Sequence, residues 1–245
     1  MRVKATLVAA TTAAAVLGTA AAGAAERQAV AERKPPPVVE QLVAFPNGKT
    51  KSKRVRARET TAKVGDRRCA IPAATPLAAL VRSRPKELDL EDFGSCSSDP
   101  RDAAGLYVRG LGGEREKGLG GWVYKVGRRI GTAGAGDPAG PFGGGRLKRG
   151  ALVTWFYCVK AGNCQRTLAA RAKVLTDGSV HVRVSAYDDS GDGVAAGGAA
   201  VKVGKVTTTA DAGGVARLSV PSGTHRVAAR KEGLVPALPT RVRVP

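Results

Sequence analysis

The 245-residue chain sets 40 Lys and Arg against 20 Asp and Glu, a formal net charge of +20, and holds 32 Gly but only 4 Phe, 4 Tyr and 2 Trp. The length allows one large domain or two small ones, and because large rings supply much of the area a small core can bury, their scarcity excludes a single large core. The charge is spread along the whole length rather than gathered into a basic arm, and the Arg-, Ala-, Gly- and Val-rich usage looks like the coding bias of a high-GC bacterium.

Residues 1–24 read as a signal peptide. Arg2 and Lys4 precede an uncharged, mildly apolar run, and Ala20-Ala21-Ala22 and Ala22-Gly23-Ala24 offer small-x-small cleavage sites. The run is too Ala-rich for a strong membrane span, which needs ~20 apolar residues, and no stable membrane insertion is expected once it is cleaved. Residues 25–37 are charged and end in Pro35-Pro36-Pro37, a run that favours an extended linker.

From Val38 the pattern becomes regular. Val38 to Phe45 reads as a strand, Asn47-Gly48 as a hairpin turn, and Lys49 to Ala57 as a returning strand. Lys49, Lys51, Lys53, Arg54, Arg56 and Arg58 make that strand so basic that a sheet edge is predicted for it. A second hairpin turns at Gly65-Asp66-Arg67. Thr75 then caps a helix with Pro76 at its first position and Leu77, Leu80 and Val81 on its apolar face; Pro85 ends it. Leu88 and Leu90 alternate, a polar turn runs through Cys96 to Asp102, and Ala104 to Leu111 is another strand.

Six of the chain's aromatic rings fall between Gly121 and Cys164, so a core is predicted to form there. Trp122, Tyr124 and Val126 alternate with Val123 and Lys125, and Leu152 to Val159 is apolar on both faces, as a central strand would be. The Gly-rich segment between them, with Gly131–Gly136 and Gly143–Gly145, reads as a mobile connection. Beyond Gln165-Arg166 the strands are built of Val and small residues: Val180 to Ser185, Ala200 to Thr209, Gly214 to Val220, His225 to Arg230 and Thr240 to Val244. Short alternating strands at this spacing predict a small β-sandwich over residues 167–245.

The four cysteines, Cys69, Cys96, Cys158 and Cys164, are an even count in a chain expected to be exported, which reads as two disulfides with three connectivities. Ala161-Gly162-Asn163 can reverse the chain, which favours Cys158–Cys164 and leaves Cys69–Cys96. No C-x-x-C pair supports zinc.

Residues 38–166 resemble the DUF4430 family, the transcobalamin-like C-terminal domain. The resemblance rests on the hairpin, on Thr75-Pro76-Leu77-Ala78-Ala79-Leu80, and above all on "GWVYKV" (121–126) and "LKRGALVTWFY" (147–157). It implies an α+β, ubiquitin-like domain without an agreed activity; no cobalamin-binding residue carries over. Residues 167–245 resemble the transthyretin-like or bacterial Ig-like modules, through Gly198–Val203, Thr209–Ala216, Pro221-Ser222-Gly223 and Ala229–Val235. Such modules serve as spacers or adhesion units.

Chemistry-bearing residues are few. His181 and His225 stand singly in alternating strands with no nucleophile assigned to either, and no G-x-S-x-G elbow occurs. The acidic cluster Glu87, Asp89, Glu91, Asp92 is expected to pair with Arg and Lys. Asp188, Ser190, Asp192 and Gly193 imitate the start of a calcium loop, but Ala199 stands where the bidentate Glu belongs. Trp122, Tyr124 and Trp155 could form a ligand platform, although core packing accounts for them as well. The expected function is therefore an exported, non-catalytic cell-surface or cell-wall-associated binding module, with an anionic wall polymer as partner, no nucleic acid, no metal and no cofactor. The alternative is a carrier or scavenger of a small, corrinoid-like ligand. Burial of the three rings would favour the module, and an open groove the carrier.

Overall fold

The computed structural model describes residues 35–245; the expected leader and most of the linker lie outside them. Residues from Pro36 onward pack as one compact unit.

The central sheet is five-stranded. β1 (Val38–Ala44) and β2 (Thr50–Arg56) form the expected hairpin. Gly48 sits at φ 75° in its turn, and Lys49 N–H donates to Asn47 Oδ1 at 3.0 Å. β3 (Thr60–Val64) and β4 (Arg67–Ile71) make the second hairpin. β5 (Asp89–Asp92), β6 (Leu106–Leu111) and β7 (Glu114–Arg115) form a three-stranded sheet. β8 (Gly121–Val126), β9 (Arg129–Ile130) and β10 (Leu152–Cys158) complete the first lobe. The central sheet runs β2-β1-β10-β8-β9, so β10 is its middle strand, parallel to β1 and antiparallel to β8. One face of this sheet buries Val39, Val43, Trp122, Tyr124, Val153 and Trp155 in the first core.

The expected α+β class is corrected. Of the described residues 46% are strand and 6% helix, so the fold is all-β, without a ubiquitin-like domain. The reason is local. Helix α1 (Pro76–Arg82) starts as predicted, with Thr75 Oγ1 accepting from Ala78 N–H at 3.2 Å, but it is only seven residues long. Its cap is Ser83, Arg84 turns to φ 55°, and Pro85 cannot continue it. Buried Leu77 to Leu80 fill the first core as a plug rather than as a layer.

The second lobe is two packed sheets, β-sandwich-like as expected. β11 (Thr167–Val174), β12 (Val180–Tyr187), β13 (Gly193–Ala195) and β16 (Val215–Leu218) form one. β14 (Ala200–Val203), β15 (Val206–Thr209), β17 (Gly223–Arg230) and β18 (Thr240–Val244) form the other. Val and Ala fill the space between them, with Val180, Val182, Val184, Val201, Val203 and Val227 all fully buried. Two differences from the sequence reading stand out. Ala200 to Thr209 is a hairpin broken at Gly204 rather than one strand, and β11 has no predicted counterpart.

A small third cluster of Ala44, Phe156, Cys158 and Val235 joins the outer face of the central sheet to the second lobe. Both predicted disulfides are formed, Cys69–Cys96 and Cys158–Cys164, with Cα separations of 4.8 and 5.0 Å. Among the described residues no helix is long and apolar enough to cross a membrane.

Candidate functional site

The basic strand lies where its composition places it. β2 pairs only with β1 and forms an edge of the central sheet. Lys49, Lys51, Lys53, Arg54, Arg56 and Arg58 are all exposed, while Val55 and Ala57 are buried. The two-residue period of a strand divides the cations into two rows. Arg54 and Arg56 share the outer face with Glu40, which holds Arg54 at 2.9 Å. Lys51 and Lys53 share the inner face with Val55 and stand opposite Val43 and Gln41. Lys51 lies over the Phe45 ring at 5.6 Å, and Lys53 Nζ donates to the Ser83 carbonyl at 3.3 Å. Among the described residues no carboxylate approaches Lys49, Lys51, Lys53, Arg56 or Arg58 within ion-pair distance.

The inner row faces the end of α1. Between the two lies a crevice of 270 Å³, walled by Lys51 and Lys53 from β2 and by Arg84 and Lys86 from the segment after the helix. Gln41 and Ser83 line it as well, and none of its lining residues is acidic.

The other candidate platform is spent on packing. Trp122, Tyr124 and Trp155 are 2%, 6% and 1% exposed. Trp122 Nε1 donates to the Glu114 carbonyl at 2.8 Å, and Tyr124 OH to the Ala133 carbonyl at 2.6 Å. Burial pushes the Tyr124 hydroxyl pKa well above its ordinary value. The three rings also line an apolar cavity of 290 Å³, with exposed Phe93 at its rim, and Trp155 Nε1 has no partner among the described residues. That volume falls at the low end of small-molecule pockets, about 300–1,000 Å³, and is too small for a corrinoid macrocycle.

The Gly-rich connection, read as mobile, is anchored at two points by backbone hydrogen bonds, while Gly143, Gly144 and Gly145 are exposed. Leu77 N–H donates to the Ala135 carbonyl at 2.8 Å and Leu147 N–H to the Ala74 carbonyl at 2.9 Å, tying it to the start of α1 from both ends.

The remaining candidates resolve into structural roles. Three of the four acidic-cluster residues are paired, Asp89 with Arg115 at 2.5 Å, Asp92 with Arg67 at 2.6 Å and Glu91 with Arg109 at 3.4 Å, while Glu87 has no ion-pair partner among the described residues. Asp92 Oδ1 also accepts from the Ser95 and Cys96 amides, which fixes Cys96 for its bridge. His181 lies between Lys173 and Arg217 in its sheet, and a His225 ring nitrogen sits 2.7 Å from the Pro221 carbonyl. Among the described residues no group of His, Cys, Asp and Glu is arranged to hold a metal. Asp188 to Asp192 closes a turn instead, with Asp192 N–H donating to Asp188 Oδ1.

Sequence reading missed Lys125. It sits on the outer face of β8, where alternation suggests solvent, yet it is fully buried. Its Nζ donates to the Tyr187 and Asp188 carbonyls at 3.1 and 2.7 Å and lies 3.2 Å from Asp189 Oδ1. The available signal was a lone lysine among the apolar residues of a core strand, together with an acidic turn in search of a partner.

Compared with family models, with curated proteins and with solved structures, the chain matches none.

Proposed function

We propose that the protein is an exported, non-catalytic cell-surface or cell-wall-associated module that binds an anionic polymer along the β2 edge. The observation that carries this reading is the edge itself: six exposed cations with a single carboxylate, Glu40, paired among them. A charged edge discourages pairing with another strand and draws a polyanion by long-range attraction. The two disulfides fit an oxidising compartment. Nucleic acid fits less well, because no exposed ring interleaves with these cations to stack on bases.

Cosedimentation with washed bacterial walls tests the reading. Attraction between exposed charges is screened as the Debye length falls from ~10 Å at 0.1 M salt to ~3 Å at 1 M. The protein should leave the walls in high salt, and a variant with Lys49, Lys51, Lys53 and Arg54 changed to Ser should bind less at low salt. Binding indifferent to both, or none at low salt, would refute it.

A second reading, a carrier of a small apolar ligand, is favoured by the cavity beside Trp155 and its unpartnered indole N–H. It stands second because all three rings are buried in the core.

A further inference from the structure

The crevice between β2 and the end of α1 combines cations with an unusual buried group. Gln41 is 2% exposed, and it lines the crevice together with Ser83. A serine hydroxyl has one hydrogen, and Ser83 Oγ donates it to the Leu80 carbonyl at 2.6 Å. Toward Gln41 the hydroxyl can therefore only accept, and it does so from Nε2 at 2.7 Å. Oε1 is thereby left with no partner among the described residues. A buried acceptor without a donor is unfavourable, and four cations stand around the same space.

We infer that this crevice is a subsite for one repeat of an anionic polymer that also carries a hydroxyl, as a polyol phosphate or a uronate does. This deepens the edge-strand reading and rests on it. The anionic group lies among Lys51, Lys53, Arg84 and Lys86, and the neighbouring hydroxyl donates to Gln41 Oε1. A bare oxyanion does not satisfy the site, because its lone pairs would meet those of Oε1. Lys53 has one of its three hydrogens on the Ser83 carbonyl and keeps two for the ligand. Arg84, at φ 55°, occupies a helix-ending position where Gly is the usual residue, and it places a guanidinium at the crevice wall.

The test is calorimetric titration of the full chain with glycerol 1-phosphate, glucuronate and sulfate, an oxyanion with no hydroxyl at neutral pH, at low salt. At least one hydroxylated anion should bind about tenfold more tightly than sulfate, the worth of one hydrogen bond to a charged or buried partner; which of the two does so identifies the polymer chemistry. Gln41→Leu should erase that preference by bringing the hydroxylated anion down to the level of sulfate. Lys53→Met, an exposed change that cannot disturb the core, should weaken all three. Equal binding of the three anions by the unaltered protein, or a preference that survives Gln41→Leu, would overturn the subsite. The failures separate: salt-sensitive wall binding without the hydroxyl preference removes the subsite and keeps the edge strand. The hydroxyl preference without wall binding does the reverse.

Discussion

Lys125 Nζ lies 3.2 Å from Asp189 Oδ1, and this contact bolts the central sheet to the second lobe. The lysine is fully buried, whereas 28% of the Asp189 side chain remains exposed. Around the pair, Ile130 N–H donates to the Asp189 carbonyl at 2.9 Å, Arg128 stacks over the Tyr187 ring at 4.3 Å, and Arg166 reaches Asp188 at 3.3 Å. Breaking a fully buried pair by removing one partner costs about 3–5 kcal/mol. Here the surviving carboxylate can rehydrate, so Lys125→Met should cost less, about 1–3 kcal/mol. Because the contact lies between lobes, denaturant unfolding of the variant should become broader or biphasic by fluorescence. A transition as sharp as that of the unaltered protein, with an unchanged midpoint, would deny the bolt its role.

The same lysine sets a pH dependence. Desolvation lowers its pKa below the ordinary 10.5, and Asp189 and Asp188 only partly offset this. Between the lowered native value and 10.5 the unfolded chain holds more protons than the native one, so stability rises with pH across that window. The contribution is fully present above 10.5 and is lost as pH falls through the native value. The difference in unfolding free energy between the unaltered protein and Lys125→Met should therefore grow from neutral pH toward alkaline pH. A difference that is flat or shrinks over that range would contradict the burial.

The disulfides are expected to contribute unequally. Cys69–Cys96 closes a separation of 27 residues and Cys158–Cys164 one of 6. By loop entropy these correspond to about 3–4 and about 2 kcal/mol. Cys69→Ala with Cys96→Ala should therefore lower the thermal midpoint more than Cys158→Ala with Cys164→Ala. The reverse order would show that the shorter bridge, at the junction with Val235, holds more than its own turn.

Local chemistry was legible in the sequence where one short-range rule decided the outcome. Asn47-Gly48 made its hairpin, Leu152–Cys158 took the middle of its sheet because both faces are apolar, and the charge of β2 sent it to the edge. Rules that needed a distant partner failed. Thr75-Pro76 announced a helix start but not its length, and the α+β expectation followed from giving about two turns the weight of a layer. Lys125 alternates like a solvent-facing residue and is covered by a turn more than 60 positions away. β11 sets Leu168, Ala170, Ala172 and Val174 on the face toward the second core and Thr167, Ala169, Arg171 and Lys173 on the other, but its apolar face is half alanine, a weak signal, and it is fixed by its register pairs to β12. The crevice at Gln41 joins three separate segments, which no spacing rule brings together.

The Gly-rich connection offers a pairwise test of whether its glycines are needed or merely tolerated. A Cβ on Gly134 would stand 2.0 Å from the Ala104 carbonyl oxygen, a backbone atom that cannot swing aside. A Cβ on Gly144 would meet nothing within 4 Å, and that residue is not in the left-handed region. Gly134→Ala should force the segment off the 3-10 turn at Pro100–Gly105, an overpacking that typically costs about 1–3 kcal/mol. Gly144→Ala removes only freedom from the unfolded chain and should be neutral or stabilising by up to about 1 kcal/mol. The thermal midpoints of the two variants should therefore move in opposite directions, or the second not at all. If both were neutral, the connection would be a loose linker after all, and the bonds from Leu77 and Leu147 would not be holding it against the first core.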